Sequence, residues 1–155
     1  MLAAIGSYTR VCTVNQWLRQ RGPLTPLTPE IVQLDAAMMV HLPFEEYVIV
    51  SRGTDPREFN DHNSIGVEFD VSDAVVEKLR LLRGGTYLRR GYTSACLSTV
   101  PSTTNKSVRV LIKLKPGQRG IYVRGTRYGD RLSAFGDQRE VILPRDQTLR
   151  VLDVR

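Results

Sequence analysis

The stretch Ser133-Ala134-Phe135-Gly136-Asp137-Gln138-Arg139-Glu140-Val141-Ile142-Leu143-Pro144-Arg145 sets a polar approach against an apolar run. Arg139 to Leu143 has the composition of a strand, stopped by Pro144. Gln138 and Glu140 stand two apart at its mouth. Residues two apart on a strand point the same way, roughly 7 Å from each other. An amide and a carboxylate are therefore expected to face one space. A carboxylate placed there can stabilise a developing cation, and an amide can grip a polar acceptor.

Upstream of this stretch the pattern is strand-like from Thr86 onward, with runs at Tyr87–Arg89, Tyr92–Leu97, Val108–Lys115 and Gly120–Val123. Leu149–Val154 forms a last run beyond it. Pro101 to Asn105 and Gly125 to Gly136 are expected loops, the second carrying several charges and two aromatic residues. The first half is helical. Val11, Val14, Trp17 and Leu18 recur at helical spacing between Tyr8 and Arg21, and Gly22-Pro23 stops them. Thr28-Pro29-Glu30 gives an N-cap, a proline at the first helical position and an acid in the first turn, predicting a helix to about His41. A third helix is predicted from Ser72 to Arg83, closed by Gly84-Gly85. Between them, Glu46–Ser51 is a β-branched and aromatic run that delivers Arg52-Gly53 at its end, and Pro56 to Asn63 is polar and turn-rich. Helices first and strands after predict an α+β domain with two packed, mostly antiparallel sheets and N-terminal helices on them.

At 155 residues the chain is one domain, 1–155, able to bury most of its apolar side chains. No apolar run approaches the roughly 20 residues that span a membrane. Cys12 and Cys96 are too few for a disulfide framework, and no Cys/His spacing indicates zinc, so no metal is expected. The formal charge of +6 favours an anionic partner: a dinucleotide, a nucleic acid or an acidic protein face.

Arg52 at the end of the first strand, Ser94 in the alternating Gly91-Tyr92-Thr93-Ser94-Ala95-Cys96-Leu97-Ser98, and Glu140 are three polar positions at strand ends. Tyr8-Thr9, Asn15 and Leu18-Arg19 precede them on the first helix. This order resembles the mono-ADP-ribosyltransferases of the bacterial toxin type. In that family an arginine on the first strand, a serine-centred motif and a Gln- or Glu-x-Glu motif surround one NAD. The likeness covers nearly the whole chain and implies the ADP-ribosyltransferase fold, a β-sandwich core with helices packed on it. It implies NAD as co-substrate, with Glu140, Gln138, Ser94 and Arg52 as catalytic residues. Asn15, Arg19, Arg52, Gly53 and Ser94 are expected to bind the dinucleotide, and Phe135 and Gln138 to recognise the acceptor. Lys106 and Arg109 are weaker candidates for phosphate contact, and Tyr128 a weaker acceptor contact. Ser94-Ala95-Cys96 departs from the family's usual Ser-Thr-Ser while keeping its first serine.

The residues fit that chemistry on their own terms. Cleaving the bond between nicotinamide and ribose develops positive charge on the ribose, which Glu140 can stabilise, a kind of contribution typically of about 3–4 kcal/mol. Arg52 offers a guanidinium fork to a pyrophosphate, and Asn15 and Arg19 share a helix face at i and i+4. Gly53 permits close backbone approach.

The acceptor stays open at this level. A glutamine at position 138 is shared by enzymes that resemble the clostridial Rho-modifying exoenzymes, which act on an amide of small GTPases, and by the pierisin-like enzymes, which act on guanine. Phe135, three positions earlier, suits either group. The full wording of residues 133–145 is closer to the first, so a protein acceptor is favoured over nucleic acid. The resemblance further implies a monomeric effector, delivered and acting in a target cell's cytosol, as a domain suited to excision from a longer toxin, with an immunity protein as a candidate partner. Two rival classes keep a place. A binding module could retain the fold without the chemistry, a reading favoured by Ala95-Cys96. A basic nucleic-acid-binding domain would ignore NAD and bind with steep salt dependence.

Overall fold

The computed structural model describes residues 4–5, 8, 13–20, 26–59, 71–99, 105–123 and 139–155. Helix α1 spans Thr13–Gln20 and α2 spans Pro29–Val40. Pro29 takes the first turn of α2, where its missing N–H is no loss, and the extended Thr28 precedes it without making a side-chain cap. Helix α3 spans Asp73–Arg80, and the Ser72 hydroxyl caps it by accepting from the Val75 amide. It is shorter than predicted. The chain continues in turns to Gly84, whose φ of 81° ends the element in the left-handed conformation.

Strands β1 (Val48–Thr54), β3 (Thr93–Cys96), β4 (Val108–Leu114), β5 (Ile121–Tyr122) and β6 (Glu140–Leu143) form one sheet in the order β4-β1-β3-β6-β5. Strands β2 (Thr86–Arg89) and β7 (Gln147–Arg150) form a second. Every pairing among them is antiparallel. Two strand positions differ from expectation. β1 runs three residues past Ser51, because β4 pairs with it from Val48↔Leu114 to Thr54↔Val108. Arg52 therefore lies within a strand, not at its end. β7 runs from Gln147 to Arg150, not from Leu149 to Val154, because β2 pairs with it from Arg89↔Gln147 to Thr86↔Arg150. Pro56–Phe59, expected as loop, forms a single 3-10 turn.

The five-stranded sheet is the middle layer, and side-chain alternation divides two cores between its faces. Ile121 and Ile142, paired in register, point into a core with Leu18, Ile31, Leu34, Ala37, Met38 and Tyr92 beneath α1 and α2. Val141 and Ala95, also paired, point the other way with Val50, Ile112, Leu114 and Leu143, where Leu149 of the small sheet packs on them. Among the described residues no helix is long and apolar enough to cross a membrane.

Candidate active site

The sheet order places β1, β3 and β6 side by side, and with them Arg52, Ser94 and Glu140. Cys96 pairs directly with Glu140, so Ser94, two residues earlier on the same face, reaches the glutamate diagonally. The Ser94 hydroxyl donates to Glu140 Oε1 at 2.5 Å. From the neighbouring strand, Arg52 Nη1 donates to the Ser94 carbonyl oxygen at 3.0 Å. A hydroxyl, a carboxylate and a guanidinium from three remote stretches thus meet at one residue, Ser94.

Glu140 is only 8% exposed. Burial pushes its carboxyl above the ordinary range, against the pull of the Ser94 hydrogen bond. Its second oxygen, Oε2, is buried with no hydrogen-bond partner among the described residues. Arg139, just before it, has a φ of 47°. This left-handed turn is uncommon for a residue with a side chain. The extended geometry that would set Gln138 and Glu140 on one face starts only at Glu140; Gln138 itself, with Phe135 and Tyr128, lies outside the described residues.

Arg52 has a second partner that the sequence reading missed. Its Nη2 donates to Glu58 Oε2 at 2.8 Å, from the 3-10 turn that follows β1. The Thr54 hydroxyl bonds the same oxygen, and Arg89 Nη1 bonds the other, Oε1. Arg89 is itself 5% exposed, with Nε donating to the Thr93 hydroxyl at 2.7 Å and Nη1 to the Tyr87 hydroxyl at 3.0 Å. Burial alone would raise the Glu58 carboxyl, but the two arginines overcome it and hold the group below the ordinary carboxylate range. For Arg52, desolvation favours the neutral form and Glu58 outweighs it, so the guanidinium stays charged.

The remaining expected residues have the following places. Gly53 sits in β1, half-buried, opposite the exposed Arg109. Lys106 pairs with Asp55 at 2.8 Å, fastening the segment before β4 to the end of β1. Asn15 is committed to the protein by its amide nitrogen, which donates to the Tyr92 carbonyl oxygen at 2.9 Å and to the Tyr8 hydroxyl at 3.1 Å. A Cβ on Gly91 would come within 2.6 Å of Asn15 Oδ1, so Gly91 is what lets α1 approach β3 this closely. Tyr8, buried beside this pair, has its hydroxyl pushed up to about 12, chiefly by burial. Arg19 is exposed on α1. Cys96 occupies the last position of the serine motif, buried, its thiol raised by burial.

The structure also offers a test of fit for a dinucleotide. Arg52 Nε and Arg89 Nη2 are buried donors, and Glu140 Oε2 a buried acceptor, all without partners among the described residues. Phosphate oxygens and ribose hydroxyls supply the complementary groups, so the residues fit.

The sequence profile of the ADP-ribosyltransferase exoenzymes matches residues 2–155, and the chain belongs to that family. It is an NAD-dependent mono-ADP-ribosyltransferase of the bacterial toxin type. The C3 exoenzyme of Clostridium limosum superposes with a TM-score of 0.80 at 25% identity, over 99% of this chain and 77% of that one. Plx2a, an ADP-ribosyltransferase toxin from Paenibacillus larvae, superposes with a TM-score of 0.76 at 27% identity, over 95% of this chain and 73% of that one. C3stau2 from S. aureus, solved with NAD, shares the fold at 22% identity, with a TM-score of 0.74 over 96% of this chain and 76% of that one. No curated protein matches by sequence.

Proposed function

We propose that this chain moves ADP-ribose from NAD to a side-chain amide of a protein, with a small GTPase as the candidate acceptor, and releases nicotinamide. Bound NAD supplies the labile bond between ribose and nicotinamide. Glu140 holds negative charge beside that bond through an oxygen that has no other partner among the described residues. Ser94 fixes the carboxylate by its hydrogen bond to Oε1. Arg52 orients Ser94 through the main chain and turns its remaining donors toward the phosphates. Gly53, Asn15 and Arg19 complete the dinucleotide site, and Gln138 and Phe135 select the acceptor. The observation that carries this reading is the chain of contacts Arg52–Ser94–Glu140.

A protein acceptor is supported by the wording of residues 133–145. In the same reading the protein is a delivered, monomeric effector that acts in the cytosol of a target cell. Incubation with labelled NAD and a cell lysate tests it. Label that protease removes and nuclease spares is the expected result. Nuclease-sensitive label moves the acceptor to nucleic acid, and absence of both label and free nicotinamide overturns the reaction.

A further inference from the structure

We infer that Glu58 is a positioning residue that holds Arg52, and through it the Ser94–Glu140 pair, in working orientation. This rests on the reaction proposed above and deepens it. Neutralising the buried Arg89 takes one carboxylate oxygen, and Oε1 of Glu58 meets that need. Oε2 does something else: it receives Arg52 Nη2 and the Thr54 hydroxyl. A guanidinium is planar, so two anchors on its two terminal nitrogens fix its plane. Here the anchors are Glu58 on Nη2 and the Ser94 carbonyl oxygen on Nη1. With the plane fixed, Nε is left buried and unpartnered among the described residues, available to a ligand. The contacts run Arg89, Glu58, Arg52, Ser94, Glu140 without a gap. Loss of Glu58 frees the guanidinium to rotate and takes the donor away from the Ser94 carbonyl. The carboxylate at the reacting centre then loses its alignment, although Glu58 has no contact with Glu140.

Steady-state release of nicotinamide from NAD tests the inference on the full chain. Glu58→Gln is expected to lower kcat by about 10- to 100-fold, the range for removing a charged hydrogen bond and misplacing a catalytic group. KM for NAD should rise as well, because the same guanidinium faces the phosphates. Glu58→Gln/Arg89→Gln restores the original charge balance, and should remain as slow as Glu58→Gln. Thr54→Val leaves every charge in place and removes one bond to Oε2; it should stay folded and lose a few-fold in kcat. Should Glu58→Gln fail to fold, Thr54→Val and the paired variant decide. Wild-type rates in the paired variant, a loss confined to KM, or wild-type kcat in Thr54→Val overturns the positioning role. A wild-type chain that releases no nicotinamide overturns the proposed reaction instead, so the two failures are distinguishable.

Discussion

Two glutamates, Glu140 buried and Glu58 half-buried, stand on either side of Ser94's neighbourhood, and they are held in opposite ways. Glu58 receives two guanidinium groups and a hydroxyl, and its carboxyl is driven down. Glu140 receives one hydroxyl, keeps one oxygen without a partner among the described residues, and has its carboxyl driven up by burial. A carboxylate whose charge is fully met by the protein has little left to offer a ligand. One whose charge is buried and half met stabilises whatever positive charge develops beside it. In the function proposed above, this difference goes with an architectural Glu58 and a chemical Glu140, and each role can be broken.

The largest effect is expected at Glu140. Glu140→Gln keeps the shape and removes the charge, and should lower nicotinamide release and transfer by about 10²- to 10³-fold or more. Because ionised Glu140 is disfavoured by burial, the same variant should melt no lower than wild type at neutral pH. Near-normal turnover in this variant breaks the comparison outright. Gln138→Ala should act on transfer alone: ADP-ribosylation falls by at least about 10-fold while slow NAD hydrolysis persists, since a residue serving the acceptor leaves the donor's cleavage untouched. Equal loss of both activities places Gln138 with Glu140 in the cleavage step.

What the sequence made legible follows the same division. Arg52, Ser94 and Glu140 fall on strands of strong pattern, and each lies next to residues of fixed alternation, so strand pairing brings them together. Glu58 lies in a polar segment with no pattern, and its partner Arg89 is 31 positions away. A signal was present: Tyr87 and Arg89 both occupy the buried face of β2, and an arginine on a buried face demands a counter-charge. Nothing in the sequence says which carboxylate answers it, because that depends on how the 3-10 turn folds back over the small sheet. The strand limits failed for a related reason. β1 and β7 extend as far as their partners allow, which is a property of the pair and not of either run alone.

Acidity separates the two glutamates by sign. The folded-state pKa of Glu58 lies below its unfolded value near 4.5, so its stabilising contribution is complete above that pH and is lost as pH falls through the folded value. Glu140 is raised above the same reference, so its ionisation weakens the fold as pH climbs through its folded value, and its contribution is relieved below about 4.5. Melting temperature against pH should therefore fall less steeply on the acid side in Glu58→Gln than in wild type. Activity gives the sharper reading. Ser94→Ala removes the hydrogen bond that favours the ionised form of Glu140, and should move the acid limb of kcat/KM to higher pH. An acid limb that stays in place assigns that titration to another group.

The smallest effect concerns the backbone that introduces Glu140. Arg139 holds a φ of 47°, a conformation that costs an ordinary residue about 1–2 kcal/mol and glycine almost nothing. Arg139→Gly also gives the unfolded chain more freedom, which opposes the gain by about 0.4–1 kcal/mol. The net expectation is a stability increase of roughly 0.5 kcal/mol, read from chemical denaturation. Turnover should change in the other direction, falling a few-fold, because the Glu140 main chain is then held by β6 pairing alone and the Ser94 contact is less constrained. A variant that is both more stable and fully active shows that the turn at Arg139 does no more than lead into β6. A variant that gains stability while losing turnover shows that strain beside Glu140, like the Oε2 left without a partner among the described residues, belongs to the working half of the site.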